Sequence, residues 1–392
     1  MLTPADENHL AAIVAEAAAK KTPLAVMGAG TRSGLGRPMQ TADTISTMLL
    51  SGVTLYEPSE LVISARAGTA LRDIEGLLRG KGQRLAFEPL DHRGIYGTSG
   101  NPTIGAIAAA NLSGPRRIQA GAARDSLIGV RAVTGFGKVV RAGGRVMKNV
   151  TGLDLVKFLA GSMGTLAVLS EVTFKVQPAP ETEATLAITG LADERAVAAM
   201  SAALGSPYSV SGAAHAPADE GEPARTYLRV EGFEPSVNHR VQQLASVLKE
   251  FGAVDVLGRG TSASLWLTVL DVDALSAPFE VPLWRVSVAP SEGPKVVARV
   301  CRAFPARVLY DWGGGLIWLA GGDGEDAGAS AVRAAVETSG GHATLVRAAD
   351  QVRNFAEVFQ PLPPATMALT RRLKATFDPA GILNPGRMYA GI

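Results

Sequence analysis

Apolar residues recur at helical spacing near the start of the chain, where Leu10, Ile13, Val14, Ala17 and Ala18 share one face that ends at Lys20-Lys21 before Pro23. Thr3-Pro4-Ala5-Asp6 predicts the start of that helix, with a hydroxyl cap, proline at the first helical position and an early acid. The period then changes. Leu24-Ala25-Val26-Met27 is a short continuous apolar run, read as a buried strand, and it runs into Gly28-Ala29-Gly30-Thr31-Arg32-Ser33-Gly34. A second strand is predicted over 61–66, followed by Gly68 and a helix over about 70–79. A glycine-rich stretch from Gly94 to Gly105 opens a helix of small residues over 104–111. Residues 130–134, Gly135-Phe136-Gly137 and 139–141 read as a β-hairpin. Gly161-Ser162-Met163-Gly164-Thr165-Leu166 then leads into an apolar strand over 167–176, stopped by Pro178.

Past Pro178-Ala179-Pro180 the motifs thin out. Residues 181–345 alternate helix-like and strand-like segments, for example 196–204 and 227–230, with a polar loop expected over 215–225. They read as an α+β unit without a chemistry motif of its own. An amphipathic helix over about 365–377 opens the tail. At 392 residues the chain exceeds one ordinary core. The expected division is 1–178, 179–345 and a C-terminal segment, 346–392.

Composition removes several function classes. The charge is nearly balanced, 38 basic against 36 acidic residues, with no basic run longer than a pair. That leaves no electrostatic footprint for nucleic acid. Mean hydropathy is slightly positive, yet no run of 18 apolar residues suggests a membrane span. The N-terminus carries early acids and no basic leader, so it reads as a folded helix and not a signal peptide. The single cysteine, Cys301, excludes an internal disulfide and a cysteine-ligated iron–sulfur cluster, and fits a reducing, cytoplasmic location.

Four segments carry candidate chemistry. A strand that delivers the 28–34 loop sets backbone N–H groups in a concavity suited to a pyrophosphate, with Gly28 and Gly30 allowing close approach; a ligand-free β-turn is the alternative. The dinucleotide fingerprint needs a third glycine where Ser33 stands, which argues against a nicotinamide Rossmann site. Thr103-Ile104-Gly105 opens the small-residue helix, which taken alone is only a closely packing helix. Gly121-Ala122-Ala123-Arg124-Asp125 reads alone as an exposed ion pair, and 161–166 as a helix stop before a strand.

The order and spacing of these segments resemble the FAD-binding domain of the vanillyl-alcohol-oxidase/PCMH flavoproteins. Within that superfamily, Val146-Met147-Lys148-Asn149-Val150-Thr151-Gly152-Leu153-Asp154-Leu155 and Trp312-Gly313-Gly314-Gly315-Leu316-Ile317-Trp318 are similar to the E-subunit family of bacterial glycolate oxidases. So is the tail Phe377-Asp378-Pro379-Ala380-Gly381-Ile382-Leu383-Asn384-Pro385-Gly386-Arg387. The likeness is clear over 20–180 and 370–388 and diffuse between them. It implies an α+β fold: a PCMH-type FAD-binding domain of two α/β subdomains, an α+β cap domain and a C-terminal segment returning to the FAD domain. It further implies that Gly28, Ala29, Gly30, Thr31, Arg32 and Ser33 form the pyrophosphate loop. Thr103, Ile104 and Gly105 would approach the flavin or its ribityl chain, and Gly121, Arg124 and Asp125 would complete the cleft. Gly164, Thr165 and Val168 would touch the opposite side, with Asn384 closing over the flavin. The implied partners are a catalytic FAD subunit and an iron–sulfur subunit, handling a small 2-hydroxy acid, with peripheral membrane association through the complex.

The chain departs from relatives that oxidise hydroxy acids themselves, which carry a histidine-rich metal cluster in the C-terminal half. Here Ala320-Gly321-Gly322-Asp323-Gly324-Glu325 has no histidine, and the five histidines of the chain include no pair at metal-ligand spacing. His342 and Arg347 offer a base and a carboxylate clamp, or else an ordinary solvated pair. A stand-alone flavin-dependent hydroxy-acid oxidase and a flavin-loaded, non-catalytic subunit therefore stay open beside the glycolate oxidase reading.

Some relatives attach FAD through a histidine in or near the loop. The 28–34 loop has none, and the nearest, His92, reads as a surface or capping histidine. Acid precipitation of the purified protein should therefore release all its FAD into the supernatant, as measured by absorbance. Flavin that pellets with the protein would contradict non-covalent binding.

Overall fold

The computed structural model describes residues 1–144, 154–219, 221–322 and 324–392. Branched and apolar residues at alternate positions build an antiparallel five-stranded sheet in the order Val53–Glu57, Val62–Arg66, Ala167–Lys175, Leu127–Thr134, Val139–Gly143. Its central strand is buried along nearly its whole length because both faces are covered. On one face, helices Leu71–Arg79 and Ile104–Ala110 enclose a core around Ile74, Leu78, Ile107 and Phe174. On the other, Val133 and Val168 pack beneath helix Glu7–Lys20 and two parallel strands, Leu24–Met27 and Asp43–Ser46.

The helix start differs from the sequence expectation. Asp6, not Thr3, is the cap, accepting from the His9 amide at 2.8 Å. Leu2 exchanges backbone hydrogen bonds with Thr44 and Ser46, which draws Thr3 and Pro4 into extended chain beside the small sheet. The tail joins the same layer: Leu383 pairs with Leu24, so the end of the chain extends the two parallel strands.

A second, antiparallel sheet of eight strands runs Val254–Leu257, Thr182–Thr189, Arg225–Gly232, Gly212–Ala216, Ala306–Asp311, Leu316–Gly321, Leu283–Ser287, His342–Arg347. One face packs on helices Asp193–Leu204, Glu234–Leu248, Gly293–Cys301 and Ala329–Glu337 through two apolar clusters. The other face meets helix Arg259–Leu270 and the segment holding Leu90 and Ile95. The polar loop expected from residue 215 starts later. His215 is in a strand and fully buried, with Nδ1 2.9 Å from the Thr226 hydroxyl and Nε2 3.4 Å from Asp193.

Five charges join the two halves of the chain, with Arg116, Arg229 and Glu231 nearly sealed and Glu88 and Arg84 partly exposed. Arg84, Glu88 and Arg116 come from the first half, and Arg229 and Glu231 from one strand of the second. Glu231 accepts from Arg116 and, at 2.8 Å, from Arg84; Arg229 lies 2.9 Å from Glu88. Burial alone would raise the Glu231 carboxyl, but the guanidiniums of Arg229 and Arg116 outweigh it and hold it at about 2. Removing one partner of such a network leaves buried cations without compensation.

Glu231→Gln should therefore destabilise the protein by about 3–5 kcal/mol in urea unfolding. The wild-type advantage is full above pH 4.5, the ordinary value of the carboxyl, and shrinks as pH falls toward about 2, where the folded carboxylate protonates. A variant of unchanged stability, or a difference independent of pH between 2 and 4.5, would refute this account of the network.

Candidate functional site

Between the small parallel layer and the five-stranded sheet lies a cavity of about 260 Å³. Its walls are the strand Leu24–Met27 with the loop that follows, the small-residue face of helix Ile104–Ala110, and the 163–169 segment. Gly28, Ala29, Gly30, Thr31, Arg32, Ser33, Gly105, Gly164, Val168 and Asn384 line it.

The loop has a consistent polarity. Its carbonyls are tied from behind: Gly28 by the Ser46 hydroxyl at 3.2 Å, Thr31 by Thr98 at 2.9 Å, Arg32 and Ser33 by Arg387, and Gly34 by Arg353 at 2.8 Å. The amides of Ala29, Gly30, Thr31 and Arg32 find no acceptor among the described residues. Successive unpaired amides in a concave turn are an anion site. Gly30 sits at φ +75°, and a Cβ there would come 2.6 Å from the Met27 methyl; one on Gly28 would come 2.3 Å from Thr103 Oγ1. Gly28 leaves no room for a Cβ beside Thr103, while Gly30 serves the left-handed turn.

Buried groups without partners stand behind the loop. Arg32 is 8% exposed and donates to the Leu90 carbonyl at 3.0 Å, while its Nε and Nη1 have no acceptor. Burial lowers that guanidinium to about 10, still protonated at neutral pH. Thr103 Oγ1, against Gly28, is also unpartnered. Free amides around the cavity fit a nucleotide pyrophosphate, and the unpartnered Arg32 guanidinium edge and Thr103 hydroxyl are sealed behind that wall.

Asn384 is placed by the tail. Its Oδ1 accepts from the Val26 amide and its Nδ2 donates to the Met163 carbonyl, each at 2.7 Å, so one side chain bridges both walls. Gly164, at φ +71°, leaves room for that amide, since a Cβ there would lie 2.9 Å from it.

Other expected site residues lie outside the cavity lining. Ile104 is in the core beside the sheet. Thr165 is a buried turn residue whose hydroxyl donates to the Ser162 carbonyl at 2.7 Å. Gly121, Arg124 and Asp125 form a short surface turn, where Asp125 accepts from the Ala122 amide and the Arg124 amide donates to Asn111 Oδ1, both at 2.9 Å. Residues 146–153 of the Val146–Leu155 motif, and Asp323, are outside the described residues. The sequence reading missed Arg387 and Arg353, which hold the loop's carbonyls, and Ala106, Ala109 and Ala110, which line the cavity. The alanines were legible as one small face of the helix; the arginines were not, because their target is backbone.

Two histidine readings change. His92 is 2% exposed, so it is no surface residue; it stands at the N-cap position of the turn Arg93–Tyr96 without a side-chain cap bond and packs edge-on to Tyr96 with its Nδ1 unpartnered. Burial and the nearby charges of Arg32 and Arg285 push its imidazole well below the ordinary value. His342 and Arg347 stand at opposite ends of one strand, and Arg347 spends its guanidinium on the carbonyls of Val281, Ile95, Ser276, Leu275 and Pro278. It has nothing left for a substrate carboxylate.

Residues 1–143 match the family described as FAD binding domain, and 354–388 the family of FAD linked oxidases, C-terminal domain. Glycolate oxidase subunit GlcE of Escherichia coli strain K12 is 35% identical over 377 residues, 96% of this chain and 95% of that protein. Glycolate oxidase subunit GlcD of Bacillus subtilis is 27% identical over 187 residues, 47% of this chain and 38% of that one. D-lactate dehydrogenase of Archaeoglobus fulgidus is 29% identical over 189 residues, covering 48% of this chain and 41% of the enzyme. The fold is shared with 4-ethylphenol oxidase from Gulosibacter chungangensis at a TM-score of 0.72 and 14% identity, across 99% of this chain and 88% of that one. It is also shared with alkyldihydroxyacetonephosphate synthase at a TM-score of 0.70 and 16% identity, across 98% and 76%. An end-to-end match at that level, with FAD-domain families at both ends of the chain, places this protein in the GlcE family of FAD-dependent oxidoreductases.

Proposed function

We propose that this chain is the FAD-carrying subunit of an assembly that oxidises glycolate to glyoxylate. It would work beside a second, catalytic flavin subunit and an iron–sulfur subunit that takes the electrons onward. The observation that carries the reading is the loop whose carbonyls are tied back and whose amides are free, in a chain that matches GlcE along nearly its whole length. No helix among the described residues is long and apolar enough to cross a membrane.

When bound, FAD supplies the two-electron acceptor that hydroxy-acid oxidation requires. In this reading the chain's own residues bind and shield it. The amides of 29–32 hold the pyrophosphate, and Thr103 with Gly105 admits the cofactor close to backbone. Gly164, Val168 and Asn384 form the opposite wall, while Ile104 and Thr165 support it from behind. Gly121, Arg124 and Asp125 close the cleft beyond Asn111. We place the FAD-binding unit at 1–178, the cap at 179–345 and the returning tail at 346–392.

Gly30→Asp should strip FAD from the folded protein, because it brings a negative charge and a side chain into the loop. Repulsion of that kind is worth about 1–4 kcal/mol at moderate effective dielectric. Gly30→Asn, without the charge, should retain more FAD. Equal flavin occupancy in wild type and Gly30→Asp, at equal melting temperature, would move the pyrophosphate elsewhere.

The division of labour is tested by stopped-flow mixing with glycolate. The FAD-loaded chain alone should not bleach, since Arg347 is committed to carbonyls and His342 stands apart from it. The same flavin should bleach within the reconstituted assembly. Rapid bleaching of the isolated chain at the assembly's turnover rate would overturn the subunit reading in favour of a stand-alone oxidase.

A further inference from the structure

An arginine on a sheet face that packs against another layer normally finds carboxylates or carbonyls, because an unpaired buried cation is costly. Arg347 and Arg229 do so. Arg285 does not. It lies in the strand Leu283–Ser287, opposite Trp318 on one neighbouring strand and Thr344 on the other. Its face carries Leu283 and Trp318 against Leu90 and Ile95, whereas Trp284 and Val286 enter the opposite core. Among the described residues its guanidinium has no hydrogen-bond acceptor and no carboxylate at ion-pair distance. It is surrounded by the Trp312 ring at 5.1 Å, the Trp318 ring at 5.9 Å and the charge of Arg117.

Arg117 repeats the pattern from the other side of the junction. It begins the short helix Arg117–Ala120, and its guanidinium carbon lies 4.5 Å from the same Trp312 ring, again with no acceptor among the described residues. The carboxylates whose fields reach these two arginines are otherwise engaged. Asp125 caps the Ala122 amide, and Asp311 accepts from the Trp312 amide at 2.7 Å. Burial pushes Asp311 up to about 7, so it is an incomplete counter-charge at neutral pH. Trp312 itself is pinned by its Nε1, which donates to the Gly114 carbonyl at 3.1 Å. The indole attracts both guanidiniums without neutralising either.

We propose that Arg285 and Arg117, one from each side of the junction and both held over Trp312, form a binding site for a small carboxylate, the class that includes 2-hydroxy acids. A guanidinium presents paired N–H donors that match a carboxylate edge, and a bound anion would supply the missing counter-charge. This site goes beyond the flavin reading and requires no turnover at this chain's own flavin.

The FAD-loaded full chain, titrated with oxalate and with glycolate while tryptophan fluorescence is followed, tests the proposal. Both anions should give a saturable change, and glycolamide, the neutral counterpart of glycolate, should not. Arg285→Gln and Arg117→Gln should each weaken binding by about tenfold or more, with Arg285→Lys in between. Identical titrations of wild type and both glutamine variants would overturn the site. So would the lack of a saturable response to either anion, or an equal response to glycolamide. Should Arg285→Gln fail to fold, Arg117→Gln, whose side chain is only partly buried, decides alone. FAD content measured on the same samples separates the two readings. Lost FAD with intact anion binding counts against the flavin site, and intact FAD without anion binding counts against this one.

Discussion

The cavity behind the 28–34 loop depends on an ion pair that does not line it. Lys374 and Asp378 are buried together one helical turn apart, 2.8 Å between Nζ and Oδ2. The ammonium also donates to the carbonyls of Thr165 and Leu383, and the carboxylate accepts from the amides of Ile382 and Leu383. Each charge is thus satisfied only if helix, tail and the 162–165 turn meet at one place. Removing either partner would leave the other buried and uncompensated, which is why such a pair fixes geometry more than it adds stability. What it fixes is Leu383 against Leu24, then Asn384 across both walls, then Arg387 behind the loop. A loop near the start of the chain takes its shape from residues more than 350 positions away.

The same logic explains why the loop's polarity is stable. Amides and carbonyls of a turn are satisfied separately, and holding the carbonyls by side chains fixes the loop with four of its amides free. Here side chains of Ser46, Thr98, Arg353 and Arg387 do that from three separate parts of the chain. Glycine at 28 and 30 supplies conformational permission, and the distant side chains supply the direction. A glycine motif read without those supports is only a turn.

That contrast marks how far the sequence could be read. The apolar run 24–27 ending in glycines was legible as strand and loop because both signals are local. So were the helix over 71–79, with its strong one-sided pattern, and the hairpin around Gly135–Gly137. The helix start was misplaced because Leu2 is captured by Thr44 and Ser46, a contact that no local capping rule contains. His92 looked like a surface residue in Asp91-His92-Arg93 and is buried because the second sheet's face covers it. Glycine spacing marked the 28–34 loop as a candidate with a ligand-free turn as its alternative. Residues that act by holding carbonyls, such as Arg387, carried no such mark.

Arg347 and Arg285 show the limit most clearly. They lie on adjacent strands, where Leu283, two residues from Arg285, pairs directly with Arg347. Both are arginines among apolar neighbours, and nothing in either local sequence separates them. Arg347 meets the chain where residues 275–281 and 95 turn their carbonyls inward, and five of those acceptors saturate it. Arg285, on the neighbouring strand, faces two indoles and a second cation instead. A saturated guanidinium is a structural strut, whatever its distance from a cofactor. An unsaturated one keeps its hydrogen-bonding capacity for something the chain does not itself contain. The count of acceptors, a tertiary property, therefore separates a clamp from a strut.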